Sequence, residues 1–214
     1  MTGLRMSQIG WTERNVYDLL ERLKINFWRV DHDAARTMED CAEADRLLGE
    51  DTAICKNLFL RNSKGDHYYL LMLPGEKKFK AKDVAHQIGS TRLSFADEEK
   101  LKEYLDILPG SVSVMGLMND HDNQVELLMD EDILKLPYVG CHPCMSTTSL
   151  KLSTKDLLEK FLPAVRHTLR MVKLEMDRIV CVVGLRLRET ALSVALAKAL
   201  DGEVISADSM QLYR

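Results

Sequence analysis

The chain is poor in the features that would assign it quickly. Its 214 residues hold five cysteines, an odd number at irregular spacing, which excludes a fully paired disulfide framework and fits reduced thiols. No apolar run approaches the length of a membrane span, and Met1 to Gly10 lacks the apolar stretch of a secretion signal. Positive charge is not in excess: 29 Lys and Arg against 33 Asp and Glu leave a formal net charge of −4. That balance excludes a broad non-specific nucleic-acid surface and leaves room for a small local one. With 46% hydrophobic and 29% charged residues, the composition is that of a globular chain with one good core and space for a small second unit, expected in the cytoplasm.

Periodicity sorts the chain into alternating helices and strands. Val16, Leu19, Leu20 and Leu23 recur at helical spacing between Trp11 and Ile25, with Thr12 as an N-cap, and Asn26 to His32 alternates as a strand. Thr37 to Leu48 reads as a helix stopped by Gly49, with Cys41 packed inside it as a small hydrophobe. Thr52 to Arg61 and His67 to Leu73 form a hairpin around the turn Asn62 to Asp66. A basic run with one aromatic, Gly75 to Lys82 around Phe79, precedes a helix from Lys82 to Ile88 that Gly89 ends. A helix from Asp97 to Leu105 breaks at Pro109-Gly110. Beyond it come a strand from Ser111 to Val114, a loop from Gly116 to Asp120 and a strand from Gln124 to Met129. Ser153 caps a helix from Thr154 to Phe161 that stops near Pro163, and Arg170 to Leu174 is the last strand of this part.

The stretch with most chemistry is Gly140-Cys141-His142-Pro143-Cys144-Met145-Ser146, a polar turn leading into a β-branched strand that ends near Leu152. Pro143 biases His142 toward extended backbone and so holds its imidazole in a defined direction, and Gly140 permits close backbone approach. An ordinary loop-to-strand junction is one reading. The Cys141-x-x-Cys144 spacing suits a redox dithiol or half a zinc site, yet a redox pair should open a helix and a zinc site needs four ligands. Here a strand follows, and Cys41, Cys55 and Cys181 are scattered singly. No metal and no cofactor are therefore expected. Hydrolysis of an activated ester is the third reading. Lys56, set among apolar neighbours, is a cation that must face solvent, a carboxylate or a phosphate. The strand pattern alone favours solvent.

Four ordered stretches carry a resemblance: Cys55-Lys56-Asn57-Leu58-Phe59-Leu60, Ser90 to Ala96, Met115-Gly116-Leu117-Met118-Asn119-Asp120, and Gly140 to Cys144. Together they resemble the prolyl-tRNA-editing family, of the YbaK/aminoacyl-tRNA-synthetase-associated fold, over roughly residues 10 to 175. The resemblance implies an α+β fold with a mixed, partly closed β-sheet flanked by helices. It implies trans-editing, the hydrolysis of a wrong amino acid, most simply alanine, from tRNA for proline, with prolyl-tRNA synthetase as a partner. A pocket built for proline discriminates against a smaller amino acid by only about 1–3 kcal/mol, so a second sieve is needed. By the same resemblance Lys56 engages the phosphate of the terminal nucleotide, His142 borders the acyl pocket, and Gly110 belongs to a glycine loop. Asn57, Arg92, Ser94, Met118, Asn119, Asp120, Gly140 and Ser146 line the substrate, and Lys77, Lys78, Lys80 and Arg92 form a basic surface for the acceptor end. The chain departs from the family pattern at Val114, where proline is common, and at Ser146, where asparagine is common. Both positions bear on acyl choice.

From Met176 the character changes. A strand from Arg178 to Gly184, a helix from Ala191 to Leu200 and an apolar run from Glu203 read as the start of a βαβ unit and resemble the N-terminus of the tRNA dimethylallyltransferase family. Gly184 is followed by Leu185-Arg186-Leu187-Arg188-Glu189-Thr190, one residue short of the phosphate-loop spacing and without its second glycine and lysine. The expected organisation is an editing domain over 1–175 and a truncated, inactive fragment over 176–214. Prenyl transfer and a non-catalytic tRNA-binding module are the rival functions.

Overall fold

The computed structural model describes residues 11–32 and 47–175, which fall within the first of the two units into which the chain divides, Met1–Met176 and Asp177–Arg214. The expected helix reaching back to Thr37, Cys41 and the whole fragment from 176 onward lie outside these residues.

The elements in order are α1 (Trp11–Arg22), β1 (Phe27–Asp31), β2 (Thr52–Asn62), β3 (Tyr68–Pro74), α2 (Ala81–Ile88), β4 (Leu93–Phe95) and α3 (Glu98–Leu105). A 3-10 helix at Val114–Asn119 leads to β5 (Val125–Asp130), a second at Glu131–Lys135 to β6 (Tyr138–Cys141), and then comes β7 (Thr148–Ser153). Helix α4 starts at Thr154–Asp156, passes through a π turn at Leu157–Phe161 and continues at Leu162–Ala164, before β8 (Leu169–Val172). The eight strands form one mixed sheet in the order β1-β7-β6-β2-β3-β5-β8, with β4 also paired to β2. A mixed sheet flanked by helices is the α+β architecture that the resemblance implies; among the described strands the pairing path ends at β1 and β8.

Strand alternation explains the two cores. On β3, Tyr68, Leu70 and Met72 face a large core with Phe59, Leu127, Leu150 and Phe161, while Tyr69, Leu71 and Leu73 face a smaller one closed by Val84, Ala85 and Ile88 of α2. Every residue of β3 is buried, as a central strand covered on both faces requires. Each fully buried leucine there contributes roughly 1.5–3 kcal/mol.

Several boundaries differ from expectation for local reasons. Ser111 to Val114 is not a strand: Ser113 caps the 3-10 helix, its Oγ accepting from the Met115 N–H. Gly116 sits in that helix because a Cβ there would fall 2.4 Å from Ile107 Cδ1. α4 ends at Ala164, near Pro163 as expected, and the proline is accommodated because it stands in the first turn of the piece after the π turn, where a missing N–H costs little. Gly140 and Cys141, expected in a turn, belong to β6, which pairs with both β2 and β7. Ser153 caps α4 as expected, accepting from the Asp156 N–H.

Candidate active site

β2 is the strand on which the site is built. One edge pairs with β3 from Cys55 to Arg61. The other is shared: β6 runs parallel to it at Thr52, Ala53 and Ile54, and β4 antiparallel at Leu60, Arg61 and Asn62. Among the described residues no strand covers this edge between those two stretches. The uncovered span contains Cys55, Lys56, Asn57 and Leu58, so the sheet has a slit where the first motif lies.

The parallel ladder stops at the pair Ile54 and Gly140, and Lys56 and His142 each follow two residues later. Both strands run on from the same end of that ladder. Lys56 Nζ donates to the Gly75 carbonyl at 2.8 Å, and the Gly75 N–H donates back to the Ile54 carbonyl at 2.9 Å. An ammonium carries three donors, so this anchor leaves two for an anion. Asn57, on the opposite face of β2, points toward the large core. Its Oδ1 is buried without a hydrogen-bond partner. An orphaned acceptor of this kind costs about 1–3 kcal/mol.

His142 is half-buried, with Nδ1 2.8 Å from the Thr148 carbonyl. A carbonyl only accepts, so Nδ1 bears the proton and Nε2 is the acceptor of the neutral ring. Thr148 Oγ1 donates to Asp31 Oδ1 at 3.1 Å, and Asp31 also accepts from Arg29 Nε at 2.6 Å. The ring of His32 stands edge-on to His142, 6.2 Å between centroids, with its Nε2 3.0 Å from Ser149 Oγ. Ser113, fully buried, donates from Oγ to the His142 carbonyl. That bond fastens the glycine loop to the histidine turn. Gly110 of this loop is exposed at φ 85°, a left-handed conformation that suits glycine. Ser113, His32 and Thr148 were not singled out from sequence; the available signal for Ser113 was a serine, a capping residue type, directly before the apolar stretch that opens at Val114.

The other residues expected at the site divide by role. Gly140 has Leu48, Ile54 and Thr52 side chains 3.1–3.4 Å from where a Cβ would sit, so it admits close strand packing. Met118 is half-buried; Asn119 Nδ2 donates to the Leu105 carbonyl at 2.8 Å. Asp120 is buried, accepting from the Gln124 and Val125 N–H groups and facing His167 Nε2 at 3.0 Å. That set of bonds braces the loop before β5. Ser146 is half-buried in the histidine turn, while Arg92, Ser94, Lys78 and Lys80 are exposed on the side of α2 and β4. Lys77 is a correction to the basic surface: it is 2% exposed, its Nζ 2.7 Å from Asp130 and 2.6 Å from Asp132.

The described thiols, Cys55, Cys141 and Cys144, are free. Burial pushes all three described thiols up, that of Cys144 to about 12, where thiolate is scarce at neutral pH. Among the described residues no group of three or more His, Cys, Asp or Glu side chains could hold a metal, and no helix is long and apolar enough to cross a membrane.

The unpaired span of β2 thus carries an anchored lysine on one face and an orphaned amide oxygen on the other, and a tautomer-fixed histidine follows β6. The profile of the aminoacyl-tRNA editing domain matches residues 32–160, and the chain belongs to that family. It is 36% identical over 155 residues, 72% of this chain and 93% of the relative, to the prolyl-tRNA editing protein ProX of Acetoanaerobium sticklandii. In fold it matches a crystal structure of a candidate trans-editing enzyme for prolyl tRNA synthetase, with a TM-score of 0.59 and 21% identity over 79% of this chain and all of that one. A separate match of 81% over 26 residues, 12% of this chain, joins it to 8% of the tRNA dimethylallyltransferase of Salinispora tropica.

Proposed function

We propose that this aminoacyl-tRNA editing hydrolase works in trans on tRNA for proline and removes alanine. The observation that carries the reading is the slit in β2, which gathers Lys56, Asn57 and the end of β6 leading to His142. Lys56 receives the phosphate of the terminal adenosine with its two remaining donors. The α-ammonium of the aminoacyl group donates to Asn57 Oδ1 and relieves its burial without a partner. His142 forms a wall of the acyl pocket and offers Nε2 as the acceptor that orients the attacking water.

The reaction asks little more of the protein. An aminoacyl ester is already activated, so water attacks the carbonyl carbon, the tetrahedral intermediate collapses, and the ribose oxygen leaves with a proton. Positioning supplies most of the acceleration. Discrimination is by size, so proline should be excluded by the wall that His142 and Met118 help to form. Prolyl-tRNA synthetase is the enzyme whose errors supply the substrate, which places both proteins in the cytoplasm. Residues 176–214 act as an inactive fragment, since their phosphate-loop counterpart lacks the second glycine and the lysine.

The test is single-turnover deacylation of a panel of tRNAs for proline charged with alanine, serine, cysteine or proline. Alanine should be released fastest and proline left in place. Equal release of all four, or release of none, refutes the assignment.

A further inference from the structure

The even-numbered side chains of β2 lead from the slit to an aromatic edge that the ester chemistry does not use. Lys56, Leu58 and Leu60 share one face, and Phe95 of β4, paired with Leu60, shares it too. Phe95 is 64% exposed although it lies on a strand. It meets the half-buried Phe79 edge-on, 6.1 Å between centroids at 62°, so one ring is braced and the other keeps an open face. Cations flank the pair: Lys78 and Lys80 adjoin Phe79 in the chain, and Arg92 precedes β4, all exposed. Asp97 on this side lies 3.8 Å from Arg61, and Asp83 and Glu175 line a pocket together with Lys78 and Lys80.

We propose that Phe95, braced by Phe79, is a stacking platform for an unpaired base of the tRNA 3′ end just upstream of the terminal adenosine. The inference rests on the reading above that Lys56 takes the terminal phosphate. Phe95 lies level with Leu60, roughly 13 Å along β2 from Lys56 at ~3.3 Å per residue, a span that a short single-stranded RNA covers. An exposed aromatic beside lysines and an arginine matches how single strands are held, by base stacking with the backbone on cations. Local basic character also answers how a chain of net charge −4 binds RNA at all.

The test uses the full chain and uncharged RNA: an acceptor-stem hairpin of proline tRNA ending in its unpaired 3′ nucleotides, and the same hairpin made blunt. By fluorescence anisotropy the wild type should prefer the overhang about tenfold, the order expected for one stacked base. Phe95→Ala should erase most of that preference, Phe95→Trp should keep it, and both should melt as the wild type does. In deacylation Phe95→Ala should raise KM and leave kcat nearly unchanged. The proposal is overturned if Phe95→Ala retains the overhang preference, or if it alters self-association while RNA affinity stays the same. Because the RNA is uncharged, a wild type that prefers the overhang but deacylates nothing in the panel would refute the assigned function and not the platform. A wild type indifferent to the overhang would refute the platform alone.

Discussion

Replacing Lys77 by alanine separates a structural cation from an RNA-binding one. Sequence placed Lys77 in a basic run beside Lys78 and Lys80, where its loss would weaken RNA binding and leave the fold alone. In the structure its ammonium is enclosed, 2.7 Å from Asp130, which is fully buried, and 2.6 Å from Asp132. Removing one partner of a buried pair strands the other charge, at about 3–5 kcal/mol. Asp130 keeps two other donors, the Leu174 N–H at 2.8 Å and the Asp132 N–H at 3.0 Å, so the lower end applies. A loss of about 3 kcal/mol in a unit of this size lowers Tm by about 6–12 °C. Urea unfolding followed by circular dichroism measures it, with Lys78→Ala as the exposed control. The effect also has a pH signature. Hydrogen bonds from Lys135 and then Lys77 hold the Asp132 carboxyl down at about 2, below its ordinary value. A depressed carboxylate stabilises the fold above its unfolded value and stops doing so as pH falls through its folded one. The gap between wild type and variant should therefore narrow from about pH 4 to about pH 2. Lys77→Ala as stable as Lys78→Ala would refute the reasoning.

Three further outcomes are expected. Lys56→Ala should lower kcat/KM for charged tRNA about tenfold to a hundredfold, from the loss of a charge-assisted contact of roughly 1.5–3 kcal/mol, and unchanged kinetics would remove Lys56 from the site. His142→Ala should relax the ratio of alanine to larger acyl groups at least as much as it lowers the rate, read from the same panel of charged tRNAs. Cys141 and Cys144 should resist iodoacetamide at neutral pH in the folded protein and react after denaturation, followed by mass spectrometry. Fast labelling of either in the native state would contradict their burial.

What was legible in the sequence was what local rules decide. The hairpin of β2 and β3 follows from two apolar runs around Asn62 to Asp66, and the Asn62 side chain confirms that turn by accepting from the Gly65 N–H. Gly89 ends α2 at φ 67°, as its place after Ile88 suggests. Ser153 caps α4. The misses were tertiary. β6 is four residues long and gave no periodicity of its own; its partners on both sides make it a strand. Ser111 to Val114 alternates like a strand, yet the capping bond of Ser113 and the contact of Gly116 with Ile107 wind the chain into a 3-10 helix. Lys77 and Lys80 look alike in sequence, and only the approach of Asp130 from β5 tells them apart. At the proposed site, Lys56 and His142 come from resemblance alone, while the gap in pairing between β6 and β4 and the unpartnered oxygen of Asn57 are visible only in the structure.

The shared edge of β2 also bears on the order of assembly. β2 and β3 pair across a short turn and β4 returns to β2 after one helix, whereas Ile54 and Gly140 must find each other across a longer stretch, with a correspondingly larger closure entropy. The parallel seam is therefore expected to knit after the meander, and the proposed site needs that seam to bring the His142 turn toward Lys56. Catalytic competence would then arrive last during synthesis and be the first property lost on mild heating, while most of the secondary structure persists.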